Sequence, residues 1–347
     1  MDVVDWALAS ATGRRLARPG PTATGTDARA AVAELRALAS FAVDPVRERS
    51  GLDAGQAPPA IVVDRPTWID SNINGFRVVL GPVLELAARD QPAALTAVSA
   101  RVTAAQIGSA LAFVSSKVLG QFEAFTPSGE GRLLLVAPNI VAAERQLGVD
   151  TRDFRLWVCL HEETHRVQFG GVPWLRDYFV SLINRYLNLS PTGASDSLTR
   201  LAAALSAIVS AMRGVPGTSL VDALQTPEQR AVFDQLTALM SVLEGHADYV
   251  MDDVGPEIVP SVALIRTRFE DRRADVGSLD GVMRRLLGID AKMRQYSDGR
   301  AFVSGSIALI GQAGFQRIWT TSATLPTLSE VLDPDAWCRR IAPDLLP

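Results

Sequence analysis

The sequence predicts a mainly α protein with a small β-hairpin or sheet beside one central helix. Three observations predict it. Apolar residues recur at helical spacing through most of the chain. Capping residues open these segments and Gly or Pro closes them. One stretch alone, residues 132–137, reads clearly as strand.

In chain order, residues 18–27 carry Pro19, Gly20, Pro21 and Gly25 and read as a loop, after which Asp27 caps a helix over 28–41. Helical patterns follow near 66–89, 91–100, 101–120, 139–147, 151–169, 173–188, 195–213, 227–252, 260–274, 278–286, 299–315 and 327–333. The strand follows a turn at 126–131, and Glu123-Ala124-Phe125 is its candidate hairpin partner. In the 151–169 segment, Asp150 or Thr151 serves as N-cap, Phe154, Leu156, Trp157, Leu160 and Val167 give the apolar period, and Gly170-Gly171-Val172-Pro173 stops it. The 227–252 segment opens on the capping box Thr226-Pro227-Glu228-Gln229 and carries Val232, Phe233, Leu236, Leu239, Met240 and Leu243. We expect an N-terminal lobe, 1–170, and a C-terminal helical lobe, 171–347, joined in one compact unit.

The chain has three histidines, and all fall in two short constellations. The first, His161-Glu162-Glu163-Thr164-His165, matches H-E-x-x-H. On a helix, residues four apart share a face, so His161 and His165 can ligate one zinc ion. Glu162 then lies beside the ion's open position as general base, and the metal lowers the pKa of its water to about 7. The second, Leu243-Glu244-Gly245-His246-Ala247-Asp248, supplies the third ligand. Glu244 and Asp248 lie one turn apart, whereas His246 points roughly 200° from Glu244, so both cannot face one ion unless the helix breaks at Gly245. Glu244 is the favoured ligand, with Asp248 holding a ligand histidine in its tautomer. His246 is the competing ligand, or else a nearby hydrogen-bonding or transition-state group of the catalytic site.

H-E-x-x-H followed by a helix bearing E-x-x-x-D resembles the glutamate-zincin metallopeptidases, the thermolysin-like class. More narrowly, Leu133-Leu134-Leu135-Val136-Ala137-Pro138-Asn139, residues Trp157 to Phe169, and Met293-Arg294-Gln295-Tyr296 resemble a zincin-like family sometimes labelled as associated with coenzyme F420 biosynthesis. The resemblance runs from about Ile61 to Phe302 and implies a metallohydrolase architecture, without naming a substrate. The chain departs from thermolysin-like peptidases between His165 and Glu244, where two further helical segments intervene.

Zincins commonly bind an extended peptide along an edge strand above the metal, which makes the 132–137 hairpin a candidate substrate ledge; a purely structural hairpin is the alternative. In Lys292–Arg300 a tyrosine hydroxyl or guanidinium can stabilise an oxyanion, which marks Tyr296. The expected activity is hydrolysis of a peptide by zinc-activated water; a small-molecule zinc amidase and a zinc-stabilised binding scaffold are the alternatives. An open metal position beside a long groove favours the peptidase, a closed pocket the amidase, and a fourth protein ligand the scaffold.

The partner expected from the motif and the resemblance is a peptide or amide substrate, and composition points to neither nucleic acid nor a membrane. Among 347 residues, 48% are hydrophobic and 21% charged, with a net charge of −4, so no basic excess points to nucleic acid. The uncharged stretch around 301–316 falls short of the roughly 20 residues of a membrane span. The Met1-Asp2-Val3-Val4-Asp5-Trp6 start lacks a secretory pattern, and Cys159 and Cys338 lack ligand spacing and read as free thiols. The expected location is therefore the cytoplasm.

Overall fold

A short helix with a side-chain cap opens the fold: α1, Trp6–Leu16, in which the Asp5 carboxylate accepts from the Leu8 amide at 2.9 Å. The computed structural model describes residues 4–56, 58–88, 93–126, 131–189, 226–274 and 289–346, with side chains left out at 82–88, 93–99, 187, 270, 272–274 and 289–297. The expected helices at 195–213 and 278–286 lie outside the described residues.

After α1 come α2 (Gly25–Ser50), β1 (Ile61–Val63), α3 (Arg65–Ala88), α4 (Ala93–Ser115), β2 (Gly120–Glu123), β3 (Arg132–Val136), α5 (Ala137–Leu147), α6 (Thr151–Gly171) and α7 (Leu175–Asn188). Then follow α8 (Pro227–Asp253), α9 (Val262–Ala274), α10 (Ile289–Phe315), α11 (Leu328–Val331) and α12 (Pro334–Ile341). The protein is mainly α with a small three-stranded sheet.

Several boundaries differ from the sequence reading, each for a local physical reason. Thr24, not Asp27, is the N-cap of α2; Asp27 sits at the third helical position and completes a capping box, its amide donating to the Thr24 hydroxyl at 3.1 Å and its carboxylate accepting from the Thr24 amide at 3.4 Å. The same helix runs past Pro45 to Ser50, because Ala42, Val46 and Ser50 are buried in the core and burial outweighs one lost helical hydrogen bond. It closes on Gly51 at φ 67°. The patterns at 91–100 and 101–120 belong to one helix, α4, with no breaker between them. Helix α1 escapes periodicity because small residues face its partner: Gly13 and Gly108 let α1 and α4 approach closely, a Cβ on Gly108 meeting the Gly13 amide at 2.9 Å.

The sheet has the order β1-β3-β2. Strand β2 pairs antiparallel with β3, Gln121 opposite Leu134 and Phe122 opposite Leu133, so the hairpin partner is Gly120–Glu123 rather than 123–125. Strand β1 pairs parallel with β3, a long-range pairing that no local pattern announces.

One hydrophobic cluster extends from Val4 to Ala342 and includes Phe154, Phe302, Phe315 and Trp337, all fully buried. Helix α6 lies within it, and several of its buried polar residues are paired. Arg155 reaches Glu144 at 2.7 and 2.9 Å and also meets Glu34, while Asp153 accepts from the Ser261 amide at 2.8 Å. Helix α8 crosses α10 at Gly245, unbroken. A Cβ there would fall on the Gly299 carbonyl and lie 2.6 Å from the Arg300 amide nitrogen. Gly245→Ala must push the two helices apart, at an expected cost on the order of 1–3 kcal/mol. Chemical denaturation reads this directly, and unchanged stability would mean that the crossing yields without cost.

Candidate metal centre

Between Asp153 and Gln168, every residue of α6 is buried except His161 and His165. These two stand one turn apart on the only face of that stretch that reaches solvent. Helix α8, capped by Thr226 and Gln229 and unbroken to Asp253, brings Glu244 against them. The Nε2 atoms of His161 and His165 are 3.2 Å apart, and Glu244 Oε2 lies 3.5 Å from the first and 3.8 Å from the second. Among the described residues, these three side chains form the group whose ligand atoms all lie within 4.8 Å of one another.

The charge of the pocket suits a cation. Burial opposes protonation of His161, but Glu244, Glu162 and Asp248 outweigh it and raise the pKa to about 9. His165 moves the other way, lowered by burial and by His161 against the pull of Glu244. Glu162 is raised to about 7, chiefly by burial and further by Glu244, with His161 opposing. Two imidazole nitrogens and a carboxylate oxygen at this spacing, with further carboxylates around them, fit the N,N,O donor set of a catalytic zinc site.

The two glutamates of the motif have different surroundings. Glu163 is turned into the protein and binds Arg166 through both carboxylate oxygens. Glu162 lies against strand β2, where a Cβ on Gly120 would come within 2.6 Å of its Cγ and 2.8 Å of its Oε1. Only glycine at 120 lets the strand pass this close. In the sheet order the expected ledge strand, β3, is central and β2 is an edge, and it is β2 whose Gly120 faces the Glu162 side chain.

Asp248 Oδ1 lies 3.8 Å from His161 Nδ1 and 3.8 Å from the Arg266 guanidinium. Arg266 in turn donates to Asp252 at 2.7 and 2.9 Å and sits over the Trp157 ring, and Arg300 meets Asp252 at 2.6 Å. Arg266 had no signal in the sequence, because it comes from α9 and reaches α8 only through packing.

The structure does not bring His246 to the cluster. It is fully buried, between the Phe315 ring at 5.8 Å and the Trp319 ring at 5.2 Å, and its Nδ1 meets Gln168 Nε2 at 3.0 Å. Burial, with His165 adding to it, lowers its pKa to about 3. The Tyr296 side chain lies outside the described residues. Gln168, which sequence reasoning passed over, had one signal: it follows His165 by three residues on the same helix.

Among the described residues no helix is long and apolar enough to cross a membrane. Among curated proteins none matches this chain. A crystal structure from Chloroflexus aurantiacus, described as a candidate hydrolase with a novel fold, is 29% identical with a TM-score of 0.69, covering 97% of this chain and 98% of that one. A profile of zincin-like metallopeptidases matches residues 4–338. With that match extending from the start of the described residues into the last α-helix, and with H-E-x-x-H at its centre, the chain belongs to the zincin-like metallopeptidase family.

Proposed function

We propose that this protein is a zinc-dependent hydrolase of peptide bonds, with His161, His165 and Glu244 holding the ion and Glu162 as general base. The observation that carries the reading is the convergence of those three side chains, from two helices, within 4.8 Å of one another. Zinc, when bound, supplies a Lewis acid that polarises the scissile carbonyl and acidifies water. Glu162 accepts the proton of the attacking water and returns it to the leaving nitrogen, a transfer its neighbouring position to His161 supports. Asp248, facing His161 Nδ1, orients that imidazole, and Arg266 holds Asp248 in place. Tyr296 is the proposed donor to the oxyanion, an assignment resting on the sequence segment that carries it.

The edge position of β2 favours a peptide over a small amide. An extended chain laid along that edge has main-chain partners in register and passes Glu162 at Gly120. The test is to load the purified protein with zinc and offer it an unbiased peptide library beside a panel of small-molecule amides. We expect close to one zinc per chain and cleavage within peptides. Cleavage confined to small amides would replace the peptidase reading with the amidase. Full zinc occupancy with no hydrolysis of either set would favour the binding scaffold.

A further inference from the structure

Gln168 makes three polar contacts in the core beneath the metal cluster. Its Nε2 lies 2.9 Å from the Leu243 carbonyl oxygen and 3.0 Å from His246 Nδ1, and its Oε1 lies 2.9 Å from His165 Nδ1. The Leu243 carbonyl can only accept, so the atom facing it must be the amide nitrogen; the reversed amide would set two oxygens against each other. That one contact settles the proton positions along the chain of groups. The Gln168 oxygen can only accept, so His165 Nδ1 carries a proton and its Nε2 presents a lone pair to the cluster. Both N–H groups of the carboxamide donate, so His246 Nδ1 is bare and its proton resides on Nε2, the atom without a partner beside Phe315 and Trp319. The 3.2 Å contact between the two Nε2 atoms is consistent with this, since His161 then donates to His165.

We infer that Gln168, anchored by the Leu243 carbonyl and His246, is a positioning residue that holds His165 in the Nδ1–H tautomer and aims its Nε2 at the metal. The inference rests on the zinc reading above. It gives His246 a task that needs no contact with substrate, and explains a polar pair deep in an apolar core: two helices, α6 and α8, are locked together at the depth of the ligands. His161 and His165 are thus oriented by different means, the first facing the carboxylate of Asp248 and the second bonded to a neutral carboxamide.

The test uses the full chain, metal-free and zinc-loaded, as wild type, Gln168→Met and His246→Phe. In the metal-free wild type, 15N spectra of the imidazoles should show His165 protonated at Nδ1, the chain's three histidines making assignment by single variants direct. Gln168→Met should release His165 to a mixture of tautomers and weaken zinc, by competition with a chelator, roughly 10- to 100-fold. His246→Phe, which keeps the ring stacking and the Leu243 anchor, should lose less affinity than Gln168→Met and leave the His165 tautomer unchanged. A purely structural Gln168 would lower stability while leaving both the tautomer and the zinc affinity of the folded protein as they were, and that result overturns the inference. If Gln168→Met does not fold, the wild-type spectrum decides alone: His165 protonated at Nε2 overturns it. Because the tautomer is read without metal, a wild type that takes up no zinc refutes the metal reading and leaves this test intact.

Discussion

Glu162→Gln is expected to keep the fold and the metal and to lose hydrolysis by roughly 10²- to 10⁴-fold in kcat/KM, the range that a general base contributes. The amide is nearly the size of the carboxylate, so the close passage beside Gly120 survives, but it accepts no proton from water. Glu162 is also absent from the group of converging ligand atoms, so zinc content should stay at the wild-type level. The two readouts together are diagnostic. Activity within tenfold of wild type would remove Glu162 as the base, and loss of zinc along with activity would make it a ligand instead. Glu163→Gln is the control: its carboxylate is engaged by Arg166 in the interior, so its loss should reduce stability without a specific loss of catalysis in the protein that remains folded.

His161→Ala and His165→Ala are each expected to abolish stoichiometric zinc, since either leaves two protein ligands where three converge. Thermal unfolding offers a second readout. An ion that binds only the folded state stabilises it by about 2.7 kcal/mol at 100 times its Kd, so zinc should raise the melting temperature of the wild type and leave both variants unmoved. Glu244→Ala should behave as they do. His246→Ala should retain more zinc than Glu244→Ala, because the His246 ring lies in the core against Phe315 and Trp319 rather than in the cluster. Zinc bound at wild-type level in both His161→Ala and His165→Ala would sink the metal assignment.

How much of this was legible beforehand depends on the distance over which each feature is encoded. His161 and His165 are four residues apart on a segment with its own cap and stop signals, so their common face follows from helix pitch. The same pitch placed Glu244 and Asp248 together and His246 away from them, and α8, unbroken at Gly245, keeps that relation. Gly245 itself was legible only as a residue at which a helix can break. Its close approach to Gly299 depends on how α8 crosses α10, which no sequence window contains.

The chain alone therefore determined the two helices that carry the site, the caps that open them at Asp150 and Thr226, and which side chains share a face on each, because these depend on covalent spacing and on hydrogen bonds within a few residues. The tertiary structure decided the rest. It carried α2 through Pro45, since burial of Ala42 and Val46 compensates a missing amide. It added β1 to the sheet through a parallel pairing with β3, whose partners lie far apart in sequence. It brought Glu244 to the two histidines, Gly120 to Glu162, Arg266 to Asp248 and His246 to Gln168. Each of these joins residues from separate elements, and their distance is set by how apolar faces pack, a property of the whole core rather than of any segment.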